Sequence, residues 1–384
     1  MKANFYIVCP SLVTTTTTGG YVFAGYGTFP GYVDKINPST MTLVKTFTAT
    51  TGNNNVTGLT TLSGYVFASY HTAPGRVDKI SPSTMTLVKT FTAPSGHNIV
   101  IALTSLSGYV FAGYSNSPGY VDKINPSTMS LVKTFTPPSG HNYVLSLTTL
   151  SGYIFAGYHT APGRVDKISP STMTLVKTFT APSGHNYVFA LTSISGYLFA
   201  SYSTPILLFG NRGEFANPGY VDKIDPSTMS LVKTFTAPPG HYLVETLTSL
   251  SGYVFAGYGT FTGYVDKISP STMTLVKTFT SPTGHNAVHA LTSLSGYLFA
   301  GYSTNPGYVD KINPTTMSLV KTFTPPAGHS YVTSLTTLSG YVFAGYATNP
   351  GYVDKISPST MTLVKTFVAP SGHNFVSSLT TLDT

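Results

Sequence analysis

The sequence predicts an all-β fold: an eight-bladed β-propeller, four antiparallel strands per blade, with the ring closed by the C-terminal strand. Three observations predict it. The tetrapeptide Val-Asp-Lys-Ile begins at Val33, Val77, Val121, Val165, Val221, Val265, Val309 and Val353. Successive starts lie 44 residues apart, except for a gap of 56 between Val165 and Val221. A period of about 40–45 residues holding several short strands is the mark of propeller blades. No segment has helical periodicity, while Tyr, Phe, Thr and Gly are abundant, as strands and tight turns require.

The unit from His141 to Ser183 shows how one blade is built. Tyr143–Leu150 (YVLSLTTL) is a first strand, and Ser151-Gly152 turns the chain tightly. Tyr153–Tyr158 (YIFAGY) is the second, rich in aromatic and branched side chains. The loop HTAPG leads to a third strand, Arg164–Ile168. In the next turn Pro170 fixes φ, and Ser169 and Ser171 are able to bond nearby backbone groups. Leu175–Phe179 (LVKTF) is the fourth strand, expected at the outer edge, where a central lysine guards against edge-to-edge pairing. That lysine recurs as Lys45, Lys89, Lys133, Lys177, Lys233, Lys277, Lys321 and Lys365.

Read through YVFAGY, KINPSTM and LVKTF, residues 20–382 resemble the YVTN-type propeller repeat of bacterial and archaeal surface proteins. The turn aspartate of that repeat is kept only at Asp225, and Asn37, Ser81, Asn125, Ser169, Ser269, Asn313 and Ser357 stand in for it. The resemblance implies a propeller and a surface location. It brings no shared catalytic residues.

Two regions fall outside the repeat. Residues 1–19 form a strand-like extension, and the propeller runs over 20–384 with a 12-residue insertion near 205–216. Phe375–Leu382 reads as a first strand and Tyr21 begins a second, so the C-terminal strand is expected to enter the blade begun by Tyr21. Phe5, Tyr6, Ile7 and Val8 are candidates for assembly. They could compete for that slot and free the C-terminal strand for a neighbouring molecule, pair with an edge of another subunit, or pack on the molecule's own rim. The start of the chain lacks a small-residue cleavage site and reads as retained structure rather than a leader.

Composition narrows the function classes. Each repeat carries one Asp and two Lys, which multiplies to the net charge of +8 without forming a patch, so nucleic acid is not expected as a partner. Cys9 is the only cysteine, which excludes an internal disulfide and a Cys-based metal cluster. No apolar run approaches the roughly 20 residues that span a bilayer. Outside the eight repeat aspartates the acids are Glu214, Asp225, Glu245 and Asp383, scattered singly. There is no calcium loop, nucleophile elbow or phosphate-binding glycine loop, so no enzyme, cofactor or metal is expected.

The repeats differ mainly at one end. The second–third loops read GTFPG, HTAPG, SNSPG, HTAPG, a long insert, GTFTG, STNPG and ATNPG, while the turns at the opposite end hardly vary. The candidate binding face therefore includes Leu207, Leu208, Phe209 and Arg212 of the insert, together with His71, Arg76, His159 and Arg164. The fourth–first loops add His97, His141, His185, His241, His285, His329 and His373, with Asn53 in the first repeat. Blades stack roughly 10 Å apart, too far for adjacent histidines to share an ion. Each histidine is expected to bond the backbone of a neighbouring loop; the other reading is a pH-sensitive or ligand-contacting ring. Asn55 heads a glycosylation sequon, Asn55-Val56-Thr57.

The expectation is a non-catalytic structural propeller at an extracellular, cell or virion surface. It self-assembles into a homo-oligomer or polymer such as a filament, sheath or coat. The alternative is a multivalent, lectin-like adhesion module that takes a glycan or other cell-surface ligand on its variable loops.

Overall fold

The computed structural model describes residues 19–203 and 218–383. It contains eight four-stranded antiparallel sheets. Blade 1 combines Gly20–Tyr26, Tyr32–Asn37 and Thr42–Thr48 with the C-terminal strand Val376–Asp383. Blades 2 to 8 follow in chain order, beginning at Val56, Val100, Val144, Val188, Val244, Val288 and Val332. The ring closes within the chain: Tyr21 pairs with Leu382 and Ala24 with Leu379. The slot in blade 1 is thus filled by the C-terminal strand, as the repeat order requires. Phe5, Tyr6, Ile7 and Val8 lie outside the described residues, as do Leu207, Leu208, Phe209 and Arg212. Among the described residues no helix is long and apolar enough to cross a membrane.

The second strand is buried on both faces, which explains its near-continuous apolar run. Side chains alternate along a strand, so neighbouring residues serve different interfaces. Val22, Ala24 and Tyr26 pack with Phe343, Val353 and Phe367 of blade 8. Phe23, between them, packs with Val66, Ala68 and Tyr70 of blade 2. The core is a set of inter-blade layers, and no blade can bury its faces alone.

At the uniform end each blade is clamped to the next. Lys35 Nζ donates to the Pro82 carbonyl of blade 2 at 2.8 Å and sits 3.6 Å from the centre of the Tyr21 ring. The series runs around the ring and closes with Lys355 donating to the Pro38 carbonyl. Burial lowers the Lys35 and Lys355 pKa values, because the carbonyl and ring only partly replace water. The turns differ by type. Asn37 Oδ1 accepts from the Ser39 and Thr40 amides, whereas Ser81 pairs with the Ser83 hydroxyl.

The fourth strands form the outer edges as expected, with Lys45 exposed and Leu43 and Val44 at 39% and 46% exposure. Register shifts between Lys35 and Ile36, leaving Val44 as a bulged residue, and the shift recurs in every blade.

Candidate functional site

The histidines of the fourth–first loops are buried, between 2% and 6% exposed, and each side chain meets a carboxylate of the blade it leads into. His97 Nδ1 lies 3.0 Å from Asp122 Oδ2, and the other carboxylate oxygen accepts from Thr134 Oγ1 at 2.6 Å. His141, His185, His241, His285, His329 and His373 repeat this with Asp166, Asp222, Asp266, Asp310, Asp354 and Asp34. The expectation of a backbone partner for the imidazole is corrected: the side chain takes the carboxylate, and the histidine's own carbonyl serves the neighbouring loop. Gly75 N of blade 2 donates to the His97 carbonyl at 2.7 Å, so one residue staples two blades. A Cβ at Gly75 would stand 2.7 Å from Tyr114 Cε1, which is why this close approach needs glycine.

Aromatic rings seal the pair. Tyr120 stacks on His97 with ring centres 3.9 Å apart, and five more blades have the same tyrosine. A second, fully buried tyrosine lies beside each carboxylate, and Tyr258 OH donates to Asp266 Oδ2 at 2.8 Å. Burial first, and then the Asp266 charge, push the Tyr258 hydroxyl well above its usual ionisation range.

Blade 2 departs from this pattern. Asn53 Nδ2 replaces the imidazole on Asp78 at 3.0 Å, and Arg76, in place of the stacked tyrosine, donates to Asn53 Oδ1 at 2.8 Å. Burial raises the Asp78 pKa, and the bonds from Thr90, Tyr70 and Asn53 offset it only partly. Arg76 therefore supports the loop from within. His159 stacks on Tyr187 at 4.0 Å, and burial lowers its pKa, keeping it uncharged at neutral pH. His71 is exposed, and Arg164 is partly buried in blade 4. Asn55 is only 7% exposed, with Val56 and Thr57 beside it at 0% and 5%, so a glycan there would require this turn to open.

The side chains that vary lie where each inner strand begins, and most of them are at least partly accessible, Asn55, Thr57, Leu145 and Ser377 being buried. Three consecutive residues recur: one at left-handed φ, an invariant buried valine, and one in a β-bulge. The first set is Asn55, Ile99, Tyr143, Tyr187, Leu243, Ala287, Tyr331 and Phe375, with φ between 46° and 59°. Left-handed φ is costly for a branched side chain such as Ile99. Tyr143, Tyr331 and Phe375 are 41%, 47% and 46% exposed. The bulged residues are Thr57, Ile101, Leu145, Phe189, Glu245, His289, Thr333 and Ser377, each falling where the register between first and second strands shifts. Bulges redirect side chains and are over-represented beside functional sites, as strained φ values are. Both sets were visible as variable columns flanking an invariant Val. They belong to strand starts and not to the loops between strands.

Among these, Glu245 and His289 meet across neighbouring inner strands, with Oε2 and Nδ1 3.2 Å apart. Thr57, Thr333 and Ser377 use their hydroxyls on the next strand's carbonyls, at Val100, Val376 and Val56. Farther out on the same face Phe29 and Phe261 are 75% and 74% exposed. Among the described residues no group of three or more His, Cys, Asp or Glu side chains is placed to hold a metal ion.

No family model matches the chain, and no curated protein matches it either. Solved structures do. The computationally designed Ika8 protein is 14% identical, with a TM-score of 0.66 over 89% of this chain and 96% of its own. The dihydro-heme d1 dehydrogenase NirN is 12% identical, with a TM-score of 0.69 over 95% and 75%. BamB from Moraxella catarrhalis is 15% identical, with a TM-score of 0.61 over 86% and 89%. At these identities the likeness is one of fold, and by fold the chain is an eight-bladed β-propeller built from tandem repeats.

Proposed function

We propose that the protein is a non-catalytic surface propeller whose variable face recognises a glycan or other cell-surface partner. The observation that carries this reading is the pairing of strained, variable, accessible residues with an invariant buried scaffold at seven of the eight inner-strand starts, Asn55 and Thr57 of blade 2 being buried. Scaffold residues repeat because each interface needs the same packing. Left-handed φ recurs at Met41, Ser63 and their equivalents in the uniform turns, so it is the change of residue from blade to blade at these positions that contact with something outside the chain explains. Because the eight positions differ chemically, they suit one ligand over the axis better than eight equal weak sites.

The case against catalysis rests on the same geometry. A histidine hydrogen-bonded to a carboxylate is the arrangement general-base chemistry uses. Here it occurs in seven copies, buried, with every carboxylate at 0% exposure. A surface location fits the Thr- and Tyr-rich, lightly charged composition.

Phe29 and Phe261 favour a second reading, in which copies of this chain associate through the variable face into a filament, sheath or coat. One experiment separates the two. The chain and a Tyr331→Ser/Phe375→Ser variant are compared by light scattering and by binding to a glycan array. A single-chain parent that binds, with a loss of about tenfold or more in the variant, supports recognition. A multi-chain parent that falls to single chains in the variant supports assembly. Parent and variant alike in both measurements would overturn the use of this face.

A further inference from the structure

We propose that the axial end of the variable face holds one site for a small organic cation, a primary ammonium bearing an aryl or alkyl group. It is built by Glu245 and Phe189. The inference deepens the recognition reading above and rests on it.

The bulged residues are sorted around the ring into three arcs. Blades 8, 1 and 2 carry Thr333, Ser377 and Thr57, whose hydroxyls are used up on neighbouring carbonyls. Blades 3, 4 and 5 carry hydrocarbon: Ile101, Leu145 and Phe189. Blades 6 and 7 carry the acid and the imidazole, Glu245 and His289. The carboxylate therefore stands at the junction between an apolar arc and a hydrogen-bonding one.

Glu245 uses only one of its two carboxylate oxygens on a neighbour among the described residues. Its Oε2 faces His289 Nδ1 at 3.2 Å, and among the described residues Oε1 takes no hydrogen bond. The side chains are 15% and 21% exposed, so water competes little and a ligand can still reach them. An ionised carboxylate offers about four acceptor positions and no donor, and its attraction for a cation grows as water is excluded. Room has been made for it: a Cβ at Gly259 would stand 2.1 Å from Oε1, and the equivalent loop position is His71, Ser115 or His159 in blades 2, 3 and 4.

Charge selects the ligand's sign. The eight repeat aspartates are fully buried, and Asp225 lies in a turn of the opposite face, held by Ser227. Asp383 ends the inner strand of blade 1, at the far end of the ring from the bulges. Among the described residues Glu245 is thus the one acid at this axial end. Phe189, the bulged residue of the preceding inner strand, is partly exposed and offers a surface for the ligand's apolar group.

The test is a saturation-transfer NMR titration of the full chain with phenethylamine, 2-phenylethanol and 3-phenylpropionate, alongside an end-blocked Phe-Lys dipeptide. Phenethylamine is expected to saturate one site, with the alcohol and the acid weaker by about tenfold or more. Glu245→Gln should weaken the amine by a similar factor. Gly259→Ala, which presses on Oε1 without removing charge, should weaken it too, and Lys45→Gln on the outer edge should change nothing. Tighter binding of the dipeptide supports the site and identifies a lysine side chain as its occupant. Equal binding of amine and alcohol, or unchanged affinity in a folded Glu245→Gln chain, overturns the proposal. If phenethylamine fails while the Tyr331→Ser/Phe375→Ser variant still loses array binding, the cation site falls and the recognition face stands.

Discussion

A single buried aspartate shows how this protein uses charge. Asp122 is fully buried yet holds bonds from His97 and Thr134, with the Tyr114 hydroxyl alongside. Burying a carboxylate is costly unless its lone pairs are matched, and these are. The neighbouring tyrosines carry a consequence for pH. Tyr26, Tyr70, Tyr114, Tyr158, Tyr202, Tyr258, Tyr302 and Tyr346 all have pKa values well above the ordinary 10.0, through burial first and the adjacent aspartate second. An acid whose folded pKa is raised contributes stability that is complete below its unfolded pKa and is lost as pH climbs above it. The chain should therefore lose stability beyond pH about 10. In a spectrophotometric titration these eight phenols should ionise together with unfolding, not before it. Their titration in a chain that still shows native circular dichroism would contradict this. The histidines were plain in the sequence, but their partners were not. Asp122 lies 25 residues on, because the chain must complete two strands before returning, and His185 reaches Asp222 across 37 because the insertion adds to that path.

At the scale of the strand, the outer edge is the exposed risk of any open sheet. Each fourth strand answers it twice, with a lysine and with a bulge that breaks the flat register. The lysine was legible because a charge amid Leu-Val and Thr-Phe stands out. The bulge was not, since register depends on the partner strand. Leu43 and Val44 remain exposed beside Lys45, so the lysine is the main obstacle to edge pairing. Replacing Lys45 and Lys89 with Val should shift the chain to larger species than the parent, read by light scattering. An unchanged mass would show that the bulge alone suffices. The inner strand uses the same device for another end. Its bulge sets Thr57, Glu245 and their equivalents apart from the ladder.

For the whole molecule, closure is the decisive step. The C-terminal strand brings Val376 and Leu379 into the layer between blades 8 and 1. His373 then reaches back to Asp34, and Ser377 to the Gly25 and Val56 carbonyls. Removing residues 376–384 would forfeit roughly 1.5–3 kcal/mol for each of those two apolar side chains, before any hydrogen bond is counted. The truncated chain should melt at a markedly lower temperature, and a synthetic peptide of residues 374–384 should restore part of the loss. A melting temperature indifferent to truncation would mean that closure contributes little. Six of the eight layers do not use the terminal strand, and Leu382 adds only a partly buried contact to a seventh, which is why partial rescue is expected.

Periodicity and composition were enough to determine the number of blades, the four strands in each, the order of their connections and the strand that closes the ring. Those features depend on local alternation, turn residues and counting, all of which are written along the chain. Only the tertiary structure decided what the repeated charges do. Asp34 and Lys35 are neighbours in sequence, yet one meets a histidine arriving from blade 8 and the other a carbonyl of blade 2. It also decided where the variable residues gather. Glu245 and His289 are 44 residues apart and become neighbours only because successive inner strands stand side by side around one axis.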